Sequence, residues 1–381
     1  MLGTLWYSAR LRGWITQIAL LGGLIALALW IGGNTAQNLA ERGIRTGLEF
    51  LSRPARFPIS ESIIRYDPSD SFLWAYVVGV ANTLWISFLT ILFATLLGLG
   101  VGLARRSSHP LLSRIAMVFV TIMRNVPLIV QLLFWYGITT SLFPAPRDAF
   151  NPIPGVFLSL RGVYAPSLLA EPGAFSFVMG VLILLTTVVW FARRMLGNAA
   201  QKRLVIPSAL AVFAIASVAL YYLLGAPLTL ELPALTGLNY RGGTHLTPEF
   251  AAIVFGLTIY TSAFIGEIIR GGIEAVSKGQ WEGGRALGLS EWNIMFRIVL
   301  PQALRVIIPP MTSQYLSTVK NTTLAVAVGY PELGLVVNTV INQTGQALES
   351  ILIMLGVYLS ISLLVSLSMN WYNARVALVE R

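Results

Sequence analysis

Apolar residues fall in eight stretches, near 14–33, 73–103, 113–143, 174–192, 204–224, 248–270, 306–329 and 348–372. Each is long enough to cross a bilayer as a helix, which takes about 20 residues. The second and third exceed that length and predict tilted helices or helices that include interfacial turns. Lys320, Asn321 and several hydroxyls interrupt the seventh. Between the sixth and seventh the pattern breaks into a polar run, EGGRALGLSEWNIMFRIVLPQALR at 282–305, with Glu282, Arg285, Glu291, Arg297 and Arg305. Residues 144–172 are proline-rich and read as an outer loop.

Composition turns this pattern into a class. Of 381 residues, 56% are hydrophobic and 11% charged, with a mean hydropathy of +0.73. A soluble domain carries about 25% charged residues, and no aqueous core of this length absorbs so much apolar surface. The chain is expected to be an all-α integral membrane protein with about eight transmembrane helices. With both termini cytoplasmic, 16 of the 26 Lys and Arg lie on the inner side and eight on the outer side, with Arg124 and Lys320 inside spans. That bias follows the positive-inside rule and accounts for the net charge of +10 without nucleic acid. Five of the outer arginines sit between the first two spans, where Glu41, Glu49, Glu61, Asp67 and Asp70 neutralise them. Residues 14–33 follow Arg10 and Arg12 but outrun a signal-peptide core, and GGNTAQNLA offers no small-x-small cleavage site; they are read as a retained span. The absence of cysteine excludes disulfides, thiolate metal sites and cysteine nucleophiles. His109 and His245 are far apart, so no histidine metal site is expected.

The polar run carries its own punctuation. Ser277 and Gln280 have capping-box spacing, which predicts a short helix through Trp281–Leu287. Gly288 would stop it in a left-handed cap. Ser290 can cap a second helix carrying Trp292, Ile294, Met295, Ile298 and Val299, and Pro301 suits the first turn of the next. The product is a helix–glycine–helix elbow with an apolar and a charged side. An amphipathic loop lying on the lipid surface would share the same pattern.

The spacing E-G-G-x3-G-x9-I-x-L-P, from Glu282 to Pro301, resembles the "EAA" loop of ABC importer permeases, with Gly283 and Gly284 in place of two alanines. Each glycine lowers helix propensity by roughly 1 kcal/mol. The flanks SAFIGEIIRGGIEAVSKGQWEGGRALGLS and VLPQALRVIIPPMTSQYLSTVKNTTLAVAVGYPEL, with RNVPLIVQ at 124–131, resemble the polar amino-acid (histidine/glutamine permease-like) branch. The resemblance covers 73–143 and 248–372, which would form the two parts of a five-helix type I core. Residues 1–72 would add an N-terminal helix and a periplasmic loop, 144–247 inserted periplasmic segments and a hairpin, and 373–381 a cytoplasmic tail. A long permease with this hairpin is similar to the paired permeases of general L-amino-acid uptake systems, which take glutamate, glutamine, aspartate and asparagine. The resemblance implies a bacterial inner-membrane importer working by alternating access. It implies four kinds of partner contact: a homologous second permease, two ABC ATPase subunits, a periplasmic amino-acid-binding protein and the lipid bilayer. Residues 274–301 would be the coupling loop, with Glu282, Arg285, Gly288 and Pro301 engaging the ATPase. ATP and Mg would sit on that partner, and this chain would hold no cofactor and catalyse no reaction.

Charges inside spans are costly and mark functional positions. Arg124 precedes Pro127, which frees backbone groups, and Gln131 follows near the same face. Glu267 lies near the inner end of the sixth span, and Lys320–Asn321 continue a polar stripe from Ser313 and Ser317. An amino-acid zwitterion needs a cation for its carboxylate, such as Arg124, and acceptors for its ammonium group, such as Glu267 and Asn321. Gln131 and Lys320 complete the candidate set, Lys320 more as a structural or gating partner. Arg124 pairing with Glu267, or snorkelling to the interface, is the structural alternative. Gly98, Gly100 and Gly102 lie in a span with no preceding strand and suggest close helix packing, not a nucleotide loop. No G-x4-G-K-[ST] loop occurs, so this chain does not hydrolyse ATP. The functional rival is an ion-gradient-coupled carrier or channel, which explains the charged spans but not the elbow.

Overall fold

The computed structural model describes residues 9–41, 43, 47–195 and 199–376; tail positions 377–381 lie outside the described residues. Among the described residues, seven helices are long and apolar enough to cross a membrane. They include Ala9–Glu41 (α1), Phe72–Arg105 (α2), and the hairpin Ala174–Met195 (α5) and Ala199–Leu223 (α6). Pro248–Glu274 (α7), Leu300–Asn321 (α10) and Ala347–Val376 (α12) complete the set. An eighth crossing exists only if a bent pair counts as one.

That pair is the over-long third stretch, 113–143, where a tilted helix or an interfacial turn was expected. Pro110–Asn125 (α3) and Leu128–Ser141 (α4) meet at 106°. The cause is Pro127, which lacks an N–H and forces Val126 out of the helical region, to ψ 129°. Gln131 folds back on the break and donates to the carbonyls of Met123 and Val126, at 2.9 and 3.0 Å. These are carbonyls the missing turn leaves without helical donors.

Residues up to Leu133 and from Ala252 form one compact unit, and Phe134–Ala251 a second. In the first unit, α2 and α7 approach closely through glycines. A Cβ on Gly98 would lie 2.6 Å from Cγ2 of Ile265, and one on Gly102 2.8 Å from the Gly266 carbonyl oxygen. Gly100 meets nothing within 4 Å. The packing expectation therefore holds for two of the three glycines, the pair four residues apart on one helix face. Gly102→Val should separate α2 from α7 and cost about 1–3 kcal/mol, as overpacking does. Gly100→Val should leave the melting temperature of the purified protein unchanged, and that contrast is the check. Against α10, α7 packs antiparallel, with Gly272 facing Ile307 and Thr261 Oγ1 3.4 Å from Thr318 Oγ1.

The segment before α2 is a built cap. Phe50, Ala55, Phe57 and Phe72 pack with Tyr76 of α2 and with Leu333, Val336, Val337 and Val340 of Leu333–Thr344 (α11). Its backbone is cross-tied by Ala55 N–H to Asp70 O (2.7 Å), Arg56 N–H to Pro68 O (2.8 Å) and Phe72 N–H to Arg53 O (2.9 Å). Tyr66 donates to Phe57 O at 2.8 Å, and burial pushes its phenol up to about 12.

In the second unit, the outer loops expected between spans are not irregular. Among the described residues they carry eight short strands, within a chain that is otherwise mostly helical, as expected. Phe150–Ile153 (β1), Val156–Ser159 (β2), Gly162–Ala165 (β3) and Thr244–Leu246 (β8) form an antiparallel sheet in the order β1-β2-β3-β8. Ser167–Ala170 (β4) pairs Leu228–Glu231 (β5), and Ala234–Thr236 (β6) pairs Asn239–Arg241 (β7). The signal for these strands is alternation such as Val163, Tyr164, Ala165 in very short runs, which the proline count hides. Gly180 takes the side chain of Leu220 where α5 packs on α6.

Candidate functional site

The elbow is formed by Lys278–Ala286 (α8) and Glu291–Ile294 (α9), followed by a π turn at Met295–Val299 that leads into α10. Ser277 is the N-cap of α8, yet its side chain makes no cap bond, and Gln280 Oε1 instead accepts from Gln302 Nε2 at 3.2 Å. The predicted capping box is thus not formed. Gly288 is left-handed at φ 71°. Its N–H reaches Arg285 O (2.9 Å) and the N–H of Leu289 reaches Gly284 O (3.1 Å), the paired bonds of a Schellman stop. Ser290 Oγ accepts from Asn293 N–H at 3.4 Å, as expected of the cap of α9. Pro301 enters the first turn of α10 just after the π turn, where a wider ladder accommodates its missing N–H.

Two contacts set the angle of the elbow. Gly284 is buried, and a Cβ there would lie 2.8 Å from Ile294 Cγ1, so α8 rests directly on α9. Gly283 meets nothing within 4 Å. The two glycines that replace alanines therefore differ: one is needed for close approach, the other is not. Arg285 straps the two helices across Gly288, with Nε 2.6 Å from Glu291 Oε1 and Nη2 3.3 Å from Oε2. Both partners are exposed, so the strap adds little stability but fixes geometry. Leu287 and Trp292 are 78% and 72% exposed, and the Trp292 ring lies tilted against Phe296 with centroids 4.1 Å apart. These apolar side chains share the elbow with the exposed charges of Glu282, Arg285 and Glu291. On the other side, the Arg106 guanidinium at the end of α2 lies 5.4 Å over the Trp281 ring, connecting the elbow to the longest core helix.

A second cluster lies at the C-terminal ends of α2 and α7. Glu267 is held by both Arg105 and Arg270, and Arg270 also pairs with Glu274. Arg124 stands 5.1 Å over the Phe264 ring. It is within electrostatic reach of Glu267 but forms no ion pair with it among the described residues. A cavity of about 380 Å³ is lined by Arg105, Val120, Thr121, Arg124, Asn125 and Phe264. Glu267 is already paired with two arginines. Gln131 spends both amide hydrogens on the Pro127 break, while its Oε1 is buried with no hydrogen-bond partner among the described residues. Arg105 and Phe264 line the cavity with Arg124 and were not among the sequence candidates.

Lys320 and Asn321 lie at another depth. The Thr261–Thr318 and Gly272–Ile307 contacts place Lys320 level with residue 259 of α7, eight residues N-terminal to Glu267. At the helical rise this is about 12 Å. Ser313, Ser317 and Lys320 are exposed along one stripe of α10. No group of three or more metal-ligating side chains occurs among the described residues.

Residues 203–378 match the family described as binding-protein-dependent transport system inner membrane component. The chain is 43% identical to YhdX of Escherichia coli (strain K12), covering 97% of this chain and 95% of that one. It is 36% identical to AapQ of Rhizobium johnstonii, a general L-amino acid transport system permease protein, over 98% and 94%. It is 34% identical to BztB of Rhodobacter capsulatus, a glutamate/glutamine/aspartate/asparagine transport system permease protein, over 100% and 97%. A crystal structure of an amino acid ABC transporter with histidines shares 20% identity over 80% of this chain and 95% of that one, at a TM-score of 0.48. Nothing in these likenesses supports an ion-coupled carrier. With relatives of this identity along its whole length, the chain belongs to the permease subunits of amino-acid ABC importers.

Proposed function

We propose that this multi-pass permease imports polar L-amino acids of the glutamate, glutamine, aspartate and asparagine class across a bacterial inner membrane, with both termini cytoplasmic. It pairs with a homologous permease, two ATPase subunits that bind ATP and Mg, and a periplasmic binding protein. The observation that carries this reading is the elbow: a Schellman stop, an Arg285–Glu291 strap and a prominently exposed Leu287–Trp292 face. ATP-driven closure of the ATPases moves this elbow, and Trp281 on Arg106 passes the motion to α2.

Within the path, Arg124 receives the substrate carboxylate in the cavity beside Arg105. Lys320 and Asn321 form an earlier, outer station. A lysine at bilayer depth on an exposed stripe cannot face lipid cheaply, so the stripe faces the second permease or a water-filled route. Gentle detergent extraction from native membranes, followed by mass spectrometry, tests the assembly. A co-purifying ATPase and a second permease are predicted. Recovery of this chain alone, under conditions that preserve other complexes, would overturn the reading, and uptake driven by an ion gradient would then be measured.

A further inference from the structure

The cap before α2 holds a cavity of about 840 Å³ whose walls include Glu49, Arg53, Arg56, Gln343, Thr344 and Gln346. One of these residues is strained. Arg56 has φ 59°, a left-handed conformation that an L side chain adopts at a cost of about 1–2 kcal/mol and glycine adopts freely. The surroundings enforce it: Arg56 N–H is bonded to Pro68 O, and neighbouring Ala55 and Phe57 are buried. A position that favours glycine and carries arginine keeps the side chain for a purpose.

The local acids do not supply that purpose. Asp70 accepts from the Asp67 N–H at 2.8 Å, and Asp67 Oδ1 accepts from Ser69 N–H and Oγ–H at 2.9 and 2.6 Å. These hydrogen bonds from Ser69 hold the Asp67 carboxyl below the usual range. Neither Arg53 nor Arg56 has an ion-pair partner among the described residues. The cavity wall thus offers two guanidinium groups against the single carboxylate of Glu49. Its volume far exceeds a free amino acid, which would leave most of it filled with water, whereas a protein loop fills it.

We infer that Arg53 and Arg56 seat an acidic side chain of the binding protein, an Asp or Glu on a surface loop, in the outer cavity between the cap and the end of α11. This rests on the importer reading, which places residues 47–71 outside. The cap is cross-tied to α2 and α11, so a load on the arginines reaches the core helices directly.

The test uses the complete transporter in proteoliposomes, titrated with amino-acid-loaded binding protein while ATP hydrolysis is followed. Arg56→Gly removes the guanidinium and relieves the backbone, so any loss is one of recognition. The binding-protein concentration for half-maximal stimulation should rise about 10-fold, the loss of one charged contact. Basal hydrolysis and the stimulated maximum should not change. Arg53→Gln should act in the same direction. Added salt should weaken stimulation of the parent more than of either variant. An unchanged half-maximal concentration in Arg56→Gly overturns the inference and leaves the importer reading intact. A shift in substrate dependence at saturating binding protein would instead make the cavity a seat for the free amino acid, and also overturns it. If the parent itself is not stimulated, the importer reading and the inference fall together.

Discussion

Gly288→Val uncouples the transporter: amino-acid uptake falls by about 10-fold or more, while the protein reaches the membrane in normal amount and the ATPases still turn over. The reason lies in the backbone. Gly288 sits at φ 71°, where a β-branched residue is a genuine outlier costing about 1–2 kcal/mol or more. A Cβ at this position meets nothing within 4 Å, so no core is disturbed and insertion proceeds. The strain is relieved by giving up the two Schellman bonds to Arg285 and Gly284. Without them α8 and α9 change angle, the Arg285–Glu291 strap opens, and Leu287 and Trp292 no longer present one face. Gly288→Asn is the control, because asparagine tolerates the left-handed region, and it should retain most uptake. Uptake and ATP hydrolysis measured together in proteoliposomes decide the matter. Normal uptake by Gly288→Val at normal expression would show that the elbow geometry is not what couples.

Glu332→Ala destabilises the core by about 2–4 kcal/mol, read as a lower melting temperature and aggregation on size-exclusion chromatography. Glu332 is fully buried and caps α11, accepting the Leu335 N–H at 3.0 Å. Its other oxygen receives longer contacts, at 3.4 Å, from Thr83 of α2 and Tyr358 of α12. Thr83 Oγ1 in turn accepts the Leu333 N–H at 3.1 Å, and the Tyr358 and Thr323 hydroxyls lie 2.7 Å apart. One carboxyl therefore joins α2, α11 and α12, and alanine removes the cap and one partner of two buried hydroxyls. Glu332→Gln keeps an acceptor for the cap and should recover most of the loss. A stable Glu332→Ala protein would mean that apolar packing around Leu333 and Val337 holds these helices unaided.

Much of this was visible in the order of residues. Seven of the eight apolar stretches became helices because a 20-residue apolar run has no other way to satisfy its backbone in lipid. The stop at Gly288 and the caps at Ser277 and Ser290 were placed correctly as positions, since each is governed by residues next to it in sequence. The features not read from local sequence share a cause. Ser277–Gln280 has capping-box spacing, but Gln280 found a better partner in Gln302, on the first turn of α10. Gln131 was a ligand candidate until the Pro127 bend brought it back over Met123 and Val126. Glu267 was open until Arg105, 162 positions away, closed on it.

Membrane class, the number of apolar runs, the elbow and the family resemblance were all properties of the chain read in order, because they depend on local hydrophobicity and backbone preference. Which polar groups remain free to act was not. The carboxylates of Glu267 and Glu332 and the amide nitrogen of Gln131 were claimed by partners that only folding brings near. Arg53 and Arg56 form no ion pair among the described residues, and Asp67 and Asp70 are bonded within their own turn. A polar side chain's role is set by which competitors reach it first, and that is decided in three dimensions.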